Sequence, residues 1–214
     1  MLAEDSQFDT KTALSAYRKL SAIDKIDYLI SAGGETCGVL NREAEGGGYI
    51  LGPAQFHWLP GALDALAILR RAGVYLTVAT NQSGVGRGLM TLAQLEAVHD
   101  RMRSEAAGHG APLDAVLFCP HSPNDGCACR KPAPGLIREA LARSGFSAEE
   151  SIVVGDDQRD LEAASRAGVR AVLVRTGKGR RTELSLSHNR DILTYDDLSQ
   201  LAHAIVTARE HRVS

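Results

Sequence analysis

Three thiols and one imidazole lie close together in this chain, as Cys119-Pro120-His121 followed by Cys127-Ala128-Cys129. Thiolates and imidazole are the soft and borderline donors that suit tetrahedral zinc. Pro120, Pro123, Asn124 and Gly126 make the stretch between them a tight loop able to wrap an ion. Four protein ligands leave no open coordination position, so such a site is structural rather than catalytic. The plain alternative is a loop of unligated cysteines. A cytidine-deaminase site needs Cys-x-x-Cys with His-x-Glu, and neither is present.

A second group of residues suits a phosphate and a hard cation. Thr80-Asn81 closes the β-branched run Val74 to Thr80. Ligands of open parallel sheets bind beyond the carboxyl ends of the strands, where a hydroxyl and following backbone N–H groups can grip a phosphate. Lys131, fixed by Pro132, is a point charge suited to the same anion. Gly155-Asp156 also ends an apolar run, and a carboxylate there suits Mg²⁺. Asp157 and Asp160 could instead serve the N-terminus of the following helix. Each signal alone also fits an ordinary strand end or a solvated lysine; their order and spacing set them apart.

These residues need a scaffold, and the pattern supplies one. Apolar runs at Ile26–Ile30, Val74–Thr80, Ala115–Phe118, Ser151–Val154 and Ala171–Val174 alternate with helical spacing at Ala62–Leu69, from Thr91, and at Gly135–Ala142 and Asp160–Ala167. Thr91 is a plausible N-cap, with Leu92, Leu95, Val98 and Met102 on one face. Such alternation implies a parallel sheet with helices on both faces, an α/β three-layer Rossmann-like domain. Ile192-Leu193 adds an edge strand and Leu198–Val206 a closing helix. Residues 1–25 read as a helical extension with a narrow stripe of Leu14, Tyr17 and Leu20. That stripe packs on the domain itself or meets a protein partner. Residues 26–214 form the domain, with the zinc loop at 119–129.

The chain of 214 residues suffices for one such core, and a net charge of −2 gives no electrostatic reason to expect nucleic acid or an anionic membrane. No apolar run is long enough to span a membrane. The start, Met1-Leu2-Ala3-Glu4-Asp5, is acidic and unlike a secretory signal, so the expected location is cytoplasmic. With three cysteines as ligands, Cys37 is left as a free thiol. The other histidines, His57, His99, His109, His188, His203 and His211, have no partner at ligand spacing.

Thr80-Asn81-Gln82-Ser83-Gly84, the Cys-x-His…Cys-x-Cys loop, Arg130-Lys131-Pro132 and Gly155-Asp156-x-x-x-Asp160 together resemble the haloacid-dehalogenase (HAD) superfamily, subfamily IIIA. Within it the chain is most similar to heptose-1,7-bisphosphate 7-phosphatases and histidinol-phosphate phosphatases. The resemblance covers about Tyr49 to Lys178. It implies a Rossmann-like sheet without a large cap and a phosphorylated small molecule, expected to be a sugar phosphate, as ligand. It puts Thr80 and Asn81 on the phosphate, Lys131 opposite them, Arg130 on the rest of the substrate and Asp156 on Mg²⁺. Cys119, His121, Cys127 and Cys129 would hold structural zinc.

One part departs from the family. Its first motif, Asp-x-Asp-Gly-(Thr or Val)-Leu-Asn, supplies nucleophile and acid/base. Here the chain reads Gly34-Glu35-Thr36-Cys37-Gly38-Val39-Leu40-Asn41, and no aspartate lies between Asp27 and Asp64. Matching the motif's tail puts Glu35 at the nucleophile and Cys37 at the acid/base, with extra residues Ser31 to Gly34 before them. Matching the strand end puts Ser31 and Gly33 there. A glutamate oxygen would sit roughly 1 Å off line, a displacement that can cost about 10²-fold. A thiol titrating near about 8.5 is a poor general acid. The expectation is a sugar-phosphate phosphatase relative that binds its ligand with weakened Mg²⁺ and is silent or feeble in catalysis. The alternatives are a working phosphomonoesterase through Glu35 and a non-enzymatic interaction module.

Overall fold

The computed structural model describes residues 23, 25–33, 38–42, 44, 48–186 and 192–213. The expected helical extension over 1–25, apart from Ile23 and Lys25, lies outside the described residues, as do Glu35 and Cys37. Six strands form one sheet in the order β3-β2-β1-β4-β5-β6, and every neighbouring pair is parallel. They are β1 (Tyr28–Gly33), β2 (Tyr75–Asn81), β3 (Ala115–Cys119), β4 (Ser151–Gly155), β5 (Arg170–Val174) and β6 (Leu193–Tyr195). Among the described residues the helices are α1 (Ala62–Arg71), α2 (Ser83–Gly86), α3 (Leu92–Gly108), α4 (Gly135–Ser144), α5 (Gln158–Ala167), α6 (Gly179–Ser185) and α7 (Leu198–Val213).

Strand alternation divides the core into two layers. Leu29 of β1 joins Leu66 and Leu69 of α1, Met102 of α3 and Leu201 and Ile205 of α7 on one face. Tyr28, Ile30 and Ala32 join Leu136, Ile137 and Ala140 of α4 and Ala163 and Ala164 of α5 on the other. With helices on both faces, the strands read as near-continuous apolar runs. The result is the expected three-layer α/β fold, with no large cap domain among the described residues. Arg209 of α7 donates to Ile26 O, Ala72 O and the Asp27 carboxylate, tying the last helix to the entrance of β1.

Differences from the pattern have local causes. The first strand was expected over Ile26–Ile30 but runs Tyr28–Gly33. Ser31, Ala32 and Gly33 have little strand propensity, yet they pair with Val78, Ala79 and Thr80, and tertiary pairing outweighs propensity. The residues expected to intervene between strand and motif are therefore mostly strand, and only Gly34 separates β1 from Glu35. Thr91 does cap α3, through a capping box with Gln94. Leu92, expected on the buried face, is 52% exposed because it opens the first turn on the solvent side. The short helices α2 and α6 were not foreseen.

Candidate functional site

The carboxyl edge of the sheet gathers the expected phosphate and cation residues. Gly33 is level with Thr80 on one side, and Ser31 with Val154 on the other, two positions before Asp156. Thr80 is 3% exposed, and its Oγ1 accepts a hydrogen bond from Gln82 Nε2 at 2.9 Å. A hydroxyl that accepts from Gln82 acts as donor toward a further partner, which is the polarity a phosphate oxygen requires. Asn81, next along the strand, holds Lys131 at both ends of its peptide unit: Nδ2 donates to Lys131 O and Oδ1 accepts from Lys131 N, each at 3.0 Å.

Lys131 follows the cysteine loop, is joined to Pro132 by a cis bond and is buried. Its Nζ donates to Ala79 O of β2 at 2.8 Å and pairs with Asp160 Oδ1 of α5 at 2.9 Å. The ammonium thus contacts elements on both flanks of β1. Asp160 also accepts from Asp157 N at 3.1 Å through its other oxygen, so one carboxylate caps α5 and neutralises Lys131. The helix role foreseen for Asp157 and Asp160 holds; the pairing of Asp160 with Lys131 was not foreseen. Gly155 is required here, because a Cβ on it would collide with Asp160.

Asp156 is 1% exposed. Its Oδ2 accepts from Lys178 N at 3.0 Å, and its main-chain oxygen accepts from Thr182 Oγ1 at 2.8 Å. Burial, with the charge of Asp160 added, pushes its carboxyl up to about 7. A bound divalent cation would reverse that shift, so the carboxylate fits a cation site. It is the only carboxylate that the described residues place there with a role not already taken up by capping or an ion pair. Gly38 and Gly177 close over this carboxylate so tightly that a Cβ on either would strike Asp156. Thr176 Oγ1 donates to Gly38 O, fastening the tail of the degenerate motif to the loop after β5.

The cysteine loop converges as its spacing suggests. The ligand atoms of Cys119, His121, Cys127 and Cys129 all lie within 4.8 Å of one another. Cys119 Sγ is 3.6 Å from Cys127 Sγ and 3.1 Å from Cys129 Sγ, and His121 Nδ1 is 3.3 Å from Cys129 Sγ. Tetrahedral zinc with bonds of about 2.3 Å needs sulfur separations near ~3.8 Å, so the cluster is compact enough to close on one ion. The three cysteines are free thiols, not disulfides. Burial and the neighbouring Cys129 push the Cys119 thiol well up, since adjacent thiols resist ionising together without a cation. The loop is packed on the Thr80 turn: Gln82 N donates to Cys119 O and Gly86 N to Pro120 O, both at 2.8 Å. Arg130 Nη1 donates to His121 O at 3.3 Å.

Sequence reasoning missed Lys178, Gly177 and Thr176. Their signal was Thr176-Gly177-Lys178-Gly179 directly after β5, the place where a parallel sheet presents loops to a ligand.

Sheet order, the edge constellation and the lack of a large cap among the described residues fit a hydrolase domain of the HAD class. A family model described as HAD-hydrolase-like matches residues 128–201. A D-glycero-beta-D-manno-heptose-1,7-bisphosphate 7-phosphatase of Pseudomonas putida is 41% identical over 169 residues, covering 79% of this chain and 95% of that protein. Its counterpart from Bordetella bronchiseptica is 44% identical over 145 residues, 68% of this chain and 80% of that protein. A crystal structure of the D,D-heptose 1,7-bisphosphate phosphatase of B. bronchiseptica, complexed with magnesium and phosphate, superposes with a TM-score of 0.76. It shares 38% identity over 83% of this chain and 98% of that one. The chain belongs to the HAD-like hydrolases, on the branch of the heptose-1,7-bisphosphate 7-phosphatases.

Proposed function

We propose that this protein binds a phosphorylated sugar of the heptose-bisphosphate kind at the carboxyl edge of its sheet and hydrolyses it feebly or not at all. The carrying observation is a pair of facts about one place: Thr80, Lys131 and Asp156 stand at that edge, and no aspartate occurs from Tyr28 to Leu63 to serve beside them. Thr80 donates its hydroxyl to the phosphate. Asn81 holds the Lys131 main chain, and the Lys131 ammonium, its charge shared with Asp160, donates to the anion. Arg130 contacts the sugar beyond the phosphate. Asp156 holds Mg²⁺, more weakly than where a motif aspartate assists it. Bound Mg²⁺ would neutralise the phosphate and orient it. Cys119, His121, Cys127 and Cys129 hold structural zinc that fixes the loop against the Thr80 turn. The apolar stripe expected in residues 1–25 serves to pack on the domain itself or to meet a protein partner; the protein acts in the cytoplasm.

A second reading is turnover through Glu35. It is favoured by the length of β1, which ends at Gly33 level with Thr80 and leaves Glu35 two residues beyond. Phosphate release from heptose bisphosphate and from an aryl phosphate decides between them, with a Glu35→Asp, Cys37→Asp variant run alongside. A wild-type chain turning over near about 1 s⁻¹ lies in the ordinary enzyme range and overturns the silent reading.

A further inference from the structure

His99 of α3 is 3% exposed, and its Nδ1 has no hydrogen-bond partner among the described residues. Burial, with the charge of Arg103 added, lowers its pKa to about 4, so the ring is neutral at ordinary pH. One ring face tilts against Phe118 with centroids 5.4 Å apart. The ring also lines a partly open cavity of about 30 Å³ bordered by β2, α3 and Leu40, Asn41, Ile50 and Phe56. The polar side chains on that cavity are His99, Asn41, Thr80 and Gln82. Apolar cavities stay dry, but a cavity able to take one water of about 30 Å³, with several polar groups around it, holds one. Buried polar nitrogens are almost always paired with protein or ordered water.

We propose that this cavity holds one ordered water, hydrogen-bonded to His99 Nδ1 and to the Thr80–Gln82 pair, and that His99 acts through it as a positioning residue for the Thr80 hydroxyl. Gln82 Nε2, by donating to Thr80 Oγ1, occupies one of its lone pairs and biases the hydroxyl hydrogen away from Gln82. A water on the cavity side fixes the amide against flipping, and His99 fixes the water. The imidazole never touches the ligand. The positioning role rests on the reading of Thr80 as a phosphate contact; the water does not.

Two measurements on the full-length chain test this. A high-resolution crystal structure should show a single water within hydrogen-bonding distance of His99 Nδ1 and of the Thr80 or Gln82 side chain. A dry cavity, or a water that misses Nδ1, overturns the proposal. Calorimetric binding of inorganic phosphate is then compared among wild type, His99→Phe and His99→Gln. His99→Phe should weaken phosphate roughly threefold to tenfold, as expected for one lost hydrogen-bond link. His99→Gln, which keeps a polar end, should restore most of the affinity. Unchanged binding in His99→Phe, or equal loss in both variants, overturns the positioning role. A wild-type chain that binds no phosphate removes the Thr80 reading and the positioning role with it, while the crystallographic result still decides the water. Should His99→Phe fail to fold, the comparison of His99→Gln with wild type carries the binding test, and a loss in His99→Gln beyond tenfold counts against the role.

Discussion

Lys131 and Asp160 form an ion pair of 2.9 Å with side chains only 1% and 2% exposed, joining the cysteine loop to the helix after β4. Two charges withdrawn so far from water depend on each other. Breaking such a pair from one side leaves a buried charge uncompensated.

Asp160→Ala should therefore destabilise the protein by about 3–5 kcal/mol in urea denaturation. Replacing both partners by Leu and Met should cost less than Asp160→Ala alone, because no charge is then stranded. A double variant as unstable as the single one would show that the pair contributes through packing rather than charge.

Zinc content should be one ion per chain by elemental analysis. Strong chelation, or Cys129→Ser, should remove it and cost ~2 kcal/mol, a fall in Tm of roughly 4–8 °C at this chain length. Because the loop's Cys119 and Pro120 carbonyls accept hydrogen bonds from the Thr80 turn, phosphate affinity should fall with the zinc. Purified protein without bound zinc and with an unchanged Tm after chelation would sink the structural-zinc reading.

His99 should make stability sensitive to acid. Its folded pKa of about 4 lies below its ordinary value of 6.5, so between these limits the unfolded chain binds more protons than the folded one. Stability from this group is fully present above about pH 6.5 and is lost as pH falls toward 4. The loss is at most about 3 kcal/mol from the size of the shift. Thermal denaturation from pH 7 to pH 4 should show a shallower decline for His99→Phe than for wild type. Parallel curves would mean the imidazole does not titrate in that window.

Gly38→Ala should displace Asp156, since the added Cβ meets its carboxylate. Overpacking of this kind typically costs 1–3 kcal/mol. Mg²⁺ should bind more weakly to the variant in titration calorimetry, while zinc content stays at one. Equal Mg²⁺ affinity in both chains would take Asp156 out of the cation site.

Activity should be at least about 10⁴-fold below that of a relative with both motif aspartates, the scale of losing nucleophile and acid/base partner together. Glu35→Asp with Cys37→Asp should recover part of it, because the motif tail is already fastened through Gly38 and Thr176. Steady-state phosphate release measures both.

The sequence by itself determined the residue types and their order. The β-branched runs specify strands and the spacing of Ala62–Leu69 a helix, since local side-chain sterics and the period of each backbone conformation show in the sequence itself. Cys119, His121, Cys127 and Cys129 were legible as a ligand set because one short loop carries all four. The missing aspartates were legible as an absence. Tertiary structure decided what lies opposite what. Gly33 stands beside Thr80 because β1 is paired on both sides, although Ser31-Ala32-Gly33 alone would not form a strand. Asp160 reaches Lys131, Gly38 closes on Asp156, and His99 lies beside the Thr80 turn across 19 positions of chain. Those meetings depend on crossovers between parallel strands, which bring together side chains distant in sequence, and no local periodicity encodes them.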